Sequence, residues 1–207
     1  MEIKKSRGRP RAFDREQALD QALQLFWAKG YEGTSLADLT TALGINAPSL
    51  YAAFESKPAL YQAALNRYLA EQFKQLATML AKASSAREGI ADILHSVAAQ
   101  FTQPDRPPGC PVASGVLRCA EANDEISQFT AEQRRTVRAM IQQRLQNDCA
   151  AGLLPVTLDT DALAGFYASV IQGMSVQAID GASKAELLNI AEIALQAWPH
   201  TQSGAEH

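Results

Sequence analysis

Apolar residues recur every three or four positions through most of the chain, which is the spacing of helical faces. The clearest case is a pair of short segments that ends at Lys57. Ser35 and Asp38 form a capping-box pattern before the first segment, and Gly44 stands where a helix ends in a left-handed residue. Asn46 is a suitable cap for the second segment. Two short helices joined by a glycine-containing turn predict a helix-turn-helix, which is a DNA-reading unit.

Longer helices are predicted on both sides of this unit. The first begins at or just after Asp14 and supplies the core for the two short helices, because helices of that length are marginal alone. Later helices are predicted over residues 57–83, 86–102, 124–151 and 160–180, and Ser183 with Glu186 opens the last one through a second capping box. The pattern therefore predicts an all-α protein.

Charge is distributed unevenly. The chain has 207 residues, 47% of them apolar and 20% charged, so a sizeable core can form. The net charge is -3, but residues 1–12 carry a local charge of +4 that leaves -7 for the rest. In this arm Arg7, Arg9 and Arg11 lie around Pro10, a composition that suits insertion into a DNA minor groove. The alternative is a solvated tail.

Residues 13–65 carry a set of residues whose spacing over about forty positions is more specific than any short motif. The set is Ala22, Phe26, Gly30, Tyr31, Thr34, Ser35, Leu39, Gly44, Ser49, Leu50, Tyr51, Phe54, Lys57 and Leu60. With it, the segment strongly resembles the N-terminal domain of the TetR/AcrR family of bacterial transcriptional repressors. The resemblance implies an all-helical homodimer with about nine helices per subunit, a DNA-binding head, and a larger body that dimerises and binds an inducer.

The resemblance divides the chain into four parts. Residues 1–12 are a basic flexible arm, 13–56 a helix-turn-helix DNA-binding domain, 57–199 a ligand-binding and dimerisation domain, and 200–207 a disordered tail. The implied function is repression, with release from a palindromic double-stranded operator by a small-molecule, electrophile, oxidant or metal signal.

The second short helix is implied to enter the major groove. Besides the arm, the implied DNA contacts are Thr34, Ser35, Tyr51 and Lys57 to phosphates, and Ala47, Pro48 and Ser49 near the exposed end of the helix. The family often has a basic residue at the position of Ala47 and glycine at that of Pro48. Direct readout is therefore expected to be sparse, with apolar contact to thymine methyls in a larger role. For Tyr51 the alternative is a core aromatic.

Cys110 follows a segment broken by prolines and a glycine, and a helix is predicted to begin there with Pro111 at its first position. The helix dipole would lower the pKa of its thiol and make it reactive. The Gly-Cys pair also resembles a subset of the family that includes sensors of electrophiles, oxidants or thiophilic metals. The alternative is a small packing residue. Cys119 would lie about 13–14 Å further along that helix, too far for a disulfide with Cys110.

The body helices present apolar faces with a few polar groups, from which an inducer pocket is predicted. Its expected residues are Phe101, Val116, Tyr167, Ile171 and Gln172, and Cys110 is a separate candidate for sensing the effector. The last two long helices are apolar on more than one face, which predicts a four-helix homodimer interface. The alternative is that both are central core helices of a monomer.

Several function classes find no support in local spacing. There is no phosphate-cradling glycine loop, no Cys-x-x-Cys motif and no histidine cluster, so no catalytic residue, metal site or cofactor is predicted. No apolar run approaches the ~20 residues of a membrane span, and the N-terminus lacks a secretory pattern. A cytoplasmic protein with free thiols is expected. A thiol-based redox enzyme using Cys110 and an architectural DNA binder are the competing hypotheses.

Overall fold

The computed structural model describes residues 14–113, 116 and 120–199, without the side chain of Ala122. Within them the chain forms eight α-helices and one short 3₁₀-helix, and no strand. The helices are α1 (Arg15–Gly33), α2 (Leu36–Leu43), α3 (Ala47–Phe54), α4 (Lys57–Lys82), α5 (Ala86–Gln100), α6 (Asp124–Ala150), α7 (Thr160–Ile179) and α8 (Lys184–Gln196), with the 3₁₀-helix over Glu121–Asn123. The all-α prediction is confirmed. The arm, the tail and Cys119 lie outside the described residues.

The helix-turn-helix forms through local signals that the sequence contains. Ser35 and Asp38 make both bonds of the capping box at the start of α2. Gly44 ends α2 with φ 65°, in the left-handed region that glycine adopts without strain. The Asn46 side chain then accepts the Ser49 backbone N–H at 2.8 Å and caps α3.

The protein has two apolar cores, and α4 passes through both. Leu60, Leu65 and Leu69 belong to the head core, around α1, α2 and α3. Leu80, one turn from the other end of the helix, belongs to the body core formed with α5, α6, α7 and α8. The head core also includes Ile126 from the start of α6. Head and body are therefore packed together beyond the predicted boundary at residue 57.

No helix begins at Cys110, contrary to the prediction. Residues 103–110 are irregular and residues 111–113 form a turn. Gly109 has φ 75°, and its N–H donates to the Phe101 carbonyl at 2.9 Å, which folds the chain back on the end of α5. Because Pro107, Pro108 and Pro111 have no N–H to donate, the segment cannot make a regular backbone ladder.

Helix α7 is the most apolar helix of the body. By length and mean hydropathy alone it meets the criteria for a membrane-spanning helix, which the sequence analysis did not anticipate. Core helices of water-soluble proteins meet the same criteria, and α7 packs between α6 and α8 with Tyr167 and Met174 fully buried. Large apolar side chains nevertheless remain exposed on α7 and α8, namely Phe166, Val176, Ile179 and Ile193.

Candidate nucleic-acid interface and effector cavity

Helix α3 has one buried and one exposed face. Leu50 and Phe54 hold it against the head core, whereas Ala47, Pro48 and Ser49 are exposed in its first turn. Tyr51 is 44% exposed, which rules out the alternative of a core aromatic because Phe54 fills that place. The predicted readout residues are therefore brought together on the outer face of α3.

Ser35 is exposed at the start of α2, but its hydroxyl is part of the cap. It donates to Asp38 Oδ2 at 2.7 Å and accepts the Asp38 backbone N–H at 3.0 Å. Lys29 Nζ lies 2.7 Å from Asp38 Oδ1, and this bond together with those from Ser35 holds the pKa of the carboxyl well below its usual range. Asp38 is thus ionised near neutral pH, with Lys29 offsetting a charge that would repel DNA.

Thr34 is fully buried, contrary to its predicted contact with a phosphate. Its hydroxyl donates to the Gly30 carbonyl at 2.7 Å, at the point where α1 kinks with φ 73°. The side chain cannot reach a phosphate in this conformation. Thr34 instead stabilises the connection between α1 and α2 through this hydrogen bond.

Lys57 lies half-buried in the first turn of α4. Its Nζ is 4.3 Å from the centroid of the Tyr31 ring, a cation–π distance. Burial lowers the pKa of Lys57, and the Glu32 carboxylate opposes that shift. The ammonium group is thus positioned at the head surface by a buried aromatic ring.

Arg7, Arg9 and Arg11 lie outside the described residues, so their predicted DNA contacts stay predictions.

A cavity of about 110 Å³ lies in the body, bounded by α4, α5, α6, α7 and the segment that carries Cys110. Four of the predicted effector residues line it: Phe101, Cys110, Ile171 and Gln172. The other polar groups on its wall include Tyr68, Gln72, Gln100 and Arg134. No carboxylate lines the cavity among the described residues.

The structure separates Tyr167 and Val116 from this cavity, contrary to the prediction. Tyr167 is fully buried in the body core, where its hydroxyl donates to the Ala194 carbonyl at 3.2 Å. Val116 packs against the head core and borders an outer groove beside Trp27. Both predictions rest on apolar helix faces, and such a face shows that a side chain is buried but not which neighbour it contacts.

The Cys110 thiol differs from its predicted state. Burial raises its pKa, although N–H groups of Val112 and Ala113 and the Tyr68 hydroxyl act in the opposite direction. The predicted lowering of the thiol pKa required a helix beginning at Cys110, whereas residues 111–113 form a turn. A thiol with a raised pKa is protonated at neutral pH and reacts slowly.

Metal ligands are not grouped in the described part of the chain, where no three His, Cys, Asp or Glu side chains could hold an ion together. His95 of α5 pairs with Glu192 of α8 at 2.8 Å.

Two contacts between head and body escaped the sequence analysis. Trp27 of α1 donates its Nε1–H to the Pro108 carbonyl at 3.2 Å. Glu32 accepts bonds from the Asn123 side chain at 2.8 Å and the Ala120 N–H at 3.2 Å, and these bonds lower its pKa. All three hydrogen bonds join residues more than 80 positions apart, so no local sequence pattern predicts them.

Residues 18–64 match the family model described as bacterial regulatory proteins of the tetR family. The repressor ComR of Escherichia coli K12 is 40% identical over 199 residues, which cover 95% of this chain and 94% of ComR. The chain belongs to the TetR family. A second relative from the same organism, the HTH-type transcriptional repressor BdcR, is 32% identical over 191 residues, covering 92% of this chain and 91% of BdcR.

A solved TetR-family structure shows the same fold over nearly the whole length. It is a cysteine-substituted variant of the regulator CifR complexed with 26-bp double-strand operator DNA. The TM-score is 0.89 at 42% sequence identity, covering 93% of this chain and all of the CifR chain. This TetR-family protein is thus a DNA-binding, helix-turn-helix transcriptional repressor. Its family is one of regulators, so the hypothesis of a redox enzyme using Cys110 is not supported.

Proposed function

We propose that the protein is a cytoplasmic homodimeric repressor that binds a palindromic operator and leaves it when the cavity beside Cys110 is occupied. The observation that carries this proposal is the exposed first turn of α3 on a TetR-type head. The CifR variant with the same fold is complexed with operator DNA, which supports the same use of the head here.

In this proposal α3 reads the major groove with few hydrogen bonds. Ala47 and Pro48 offer only apolar contact, which suits thymine methyl groups, and Ser49 is the one hydroxyl in that turn. Tyr51, Ser35 and Lys57 contact phosphates, and the arginines of the arm enter the minor groove. Because Lys57 and the three arginines of the arm bring positive charge to the DNA backbone, operator affinity falls steeply with salt.

The partner in the dimer is a second copy that packs on α7 and α8. Phe166, Val176, Ile179 and Ile193 are exposed apolar side chains on these two helices, and a four-helix interface would bury them. Such a dimer holds two α3 helices at a fixed separation, which must be about 34–36 Å or a multiple to reach successive major grooves. A signal releases the protein by changing that separation.

The cavity favours a small molecule over a metal ion. Its volume is of the order of the ~150 Å³ engineered cavity that binds benzene. A metal site in this cavity would need Cys110 together with further ligands, and the described wall has no carboxylate or histidine. Two signals remain within the proposal: a small, largely apolar ligand and a reagent that modifies the thiol.

The test of DNA recognition is fluorescence anisotropy with DNA from upstream of the protein's own gene, against a scrambled duplex of equal length. We expect at least about a thousandfold preference for the first, the low end for specific sites. Tyr51→Ala should weaken specific binding, and Asp20→Asn, an exposed change on α1 outside the predicted DNA contacts, should not. Equal affinity for both duplexes would contradict the proposal.

A further inference from the structure

We infer that Trp27 is the residue through which the state of the cavity reaches the DNA-binding head. The inference rests on the proposed function and adds a route of communication to it. Trp27 lies on α1 and packs against the head core, and it also contacts Pro108, close to Cys110, and Tyr68, which lines the cavity.

The first route runs through the backbone before Cys110. The indole Nε1–H of Trp27 donates to the Pro108 carbonyl at 3.2 Å, two residues from the thiol. The Arg106 guanidinium lies 5.9 Å from the centroid of the indole ring, over the same segment. Displacement of Cys110 therefore moves a backbone group bonded to α1.

The second route runs through Tyr68, which lines the cavity from α4. Its ring lies edge-on to Trp27 with the centroids 5.5 Å apart, and its hydroxyl is 4.0 Å from Cys110 Sγ. Trp27 thus touches two neighbours of the thiol on different elements. A ligand beside Cys110 meets one or both of them.

On the side away from Trp27, the segment that carries Gly109 and Cys110 packs directly against α7. The Cys110 N–H donates to Ser175 Oγ at 2.8 Å. A methyl group on Gly109 would lie 2.8 Å from the Ser175 carbonyl oxygen, so the backbone there is already in close contact with α7. Because packed interiors deform little, a group inserted at the cavity pushes the segment away from α7 and towards α1. Movement is then passed to the head.

Helix α4 offers a competing route. Gln72 and Phe73 line the cavity, and Leu65 and Leu69 continue into the head core. Coupling through α4 alone would make the side chain of Trp27 dispensable. Substitution of Trp27 separates the two routes.

The experiment uses reciprocity: if the cavity segment affects the head, operator binding at the head must affect the segment. Hydrogen exchange of the amides of Gly109, Cys110, Val112 and Ala113 is measured with and without operator DNA, using the full chain. The variants are wild type, Trp27→Leu, Trp27→Phe and the matched control Trp198→Phe. Trp198 packs against Tyr167 in the body core, so its substitution leaves both routes in place.

We expect operator DNA to slow exchange of these amides about fivefold or more in wild type and Trp198→Phe. Trp27→Leu should lose the effect, and Trp27→Phe, which keeps a ring but no donor, should lose about half of it on a logarithmic scale. No operator effect in wild type, or the full effect in both Trp27 variants, would overturn the inference. If Trp27→Leu does not fold, an undiminished effect in Trp27→Phe overturns it. Failure of wild type to prefer its operator is a different result, and it contradicts the proposed function.

Discussion

Ser175 Oγ accepts the backbone N–H of Cys110 at 2.8 Å and so ties the thiol-bearing segment to α7. Ser175 is fully buried, and the segment that it holds forms one wall of the cavity. The same α7 carries three of the exposed apolar side chains assigned to the dimer interface. One hydrogen bond thus connects the cavity wall to the helix proposed to hold the second subunit.

Ser175→Ala removes the hydroxyl that accepts the Cys110 N–H. We expect the free energy of unfolding to fall by about 0.5–1.5 kcal/mol, the usual net contribution of one hydrogen bond. Urea denaturation at fixed protein concentration measures it. The control is Ser169→Ala, which removes an exposed hydroxyl bonded within the same helix and should change stability by less than about 0.5 kcal/mol. Equal effects of the two substitutions would contradict the assignment.

Arg144 holds the body end of α4 in place. Its guanidinium pairs with Asp148 at 2.8 Å, both side chains are buried or nearly so, and it also donates to the carbonyls of Leu80 and Ala83. Asp148 in turn accepts the Ala86 N–H at the start of α5. Arg144→Met leaves the Asp148 charge unpaired, which should cost about 3–5 kcal/mol in urea denaturation.

The control for Arg144 lies on the same helix. Arg138 pairs with Asp161 at 2.6 Å, but both side chains are exposed. Arg138→Met should therefore cost less than about 1 kcal/mol. If Arg138→Met destabilises the protein as much as Arg144→Met, the buried ion pair does not hold the α4–α5 corner as described.

Tyr51 and Thr34 should separate DNA binding from stability. Tyr51→Phe removes only the exposed hydroxyl, and loss of a phosphate hydrogen bond should weaken operator binding about tenfold while the unfolding free energy stays the same. Thr34→Val removes a buried hydroxyl and should lower stability by about 1–3 kcal/mol, with operator affinity of the folded protein unchanged. Anisotropy and urea denaturation measure the two quantities. If Thr34→Val weakened operator binding and Tyr51→Phe did not, Thr34 and not Tyr51 would be the residue that contacts the phosphate.

The raised pKa of Cys110 predicts how its reactivity depends on pH. Thiolate is the reactive form, so a higher pKa reduces its fraction near neutral pH and moves the rise in rate to more alkaline pH. N-ethylmaleimide should label the Cys119→Ser, Cys149→Ser protein more slowly than a free cysteine peptide at pH 7. The pH at which the labelling rate reaches half of its maximum should be higher for the protein than for the peptide. A midpoint below that of the peptide would restore the helix-dipole prediction.

Local chemistry explains why much of the head was predictable. The caps at Ser35, Gly44 and Asn46 depend on residues a few positions apart, and the structure confirms each of them. The thiol was mispredicted because its state depends on whether a helix starts at Cys110. That was decided by distant groups, the Phe101 carbonyl and the Ser175 hydroxyl.

The cavity was only partly predictable for a related reason. Helical spacing shows that Ile171 and Tyr167 both point inward, but α7 has two buried sides that meet different neighbours. Ile171 reaches the cavity wall, whereas Tyr167 contacts α8 through Ala194. Trp27 was not singled out at all, because its importance lies in a contact with Pro108, 81 positions away.

The proposed function requires that occupation of the cavity beside Cys110 weakens operator binding. The most direct measurement is the operator Kd of the Cys119→Ser, Cys149→Ser protein before and after reaction with N-ethylmaleimide, beside the same protein carrying Cys110→Ser. We expect the reaction to raise the operator Kd about tenfold or more in the protein that retains Cys110 and to leave it unchanged in the Cys110→Ser protein. A tenfold change lies within the usual range of allosteric coupling. An unchanged Kd after complete modification of Cys110, or an equal rise in the Cys110→Ser protein, would contradict the proposed function.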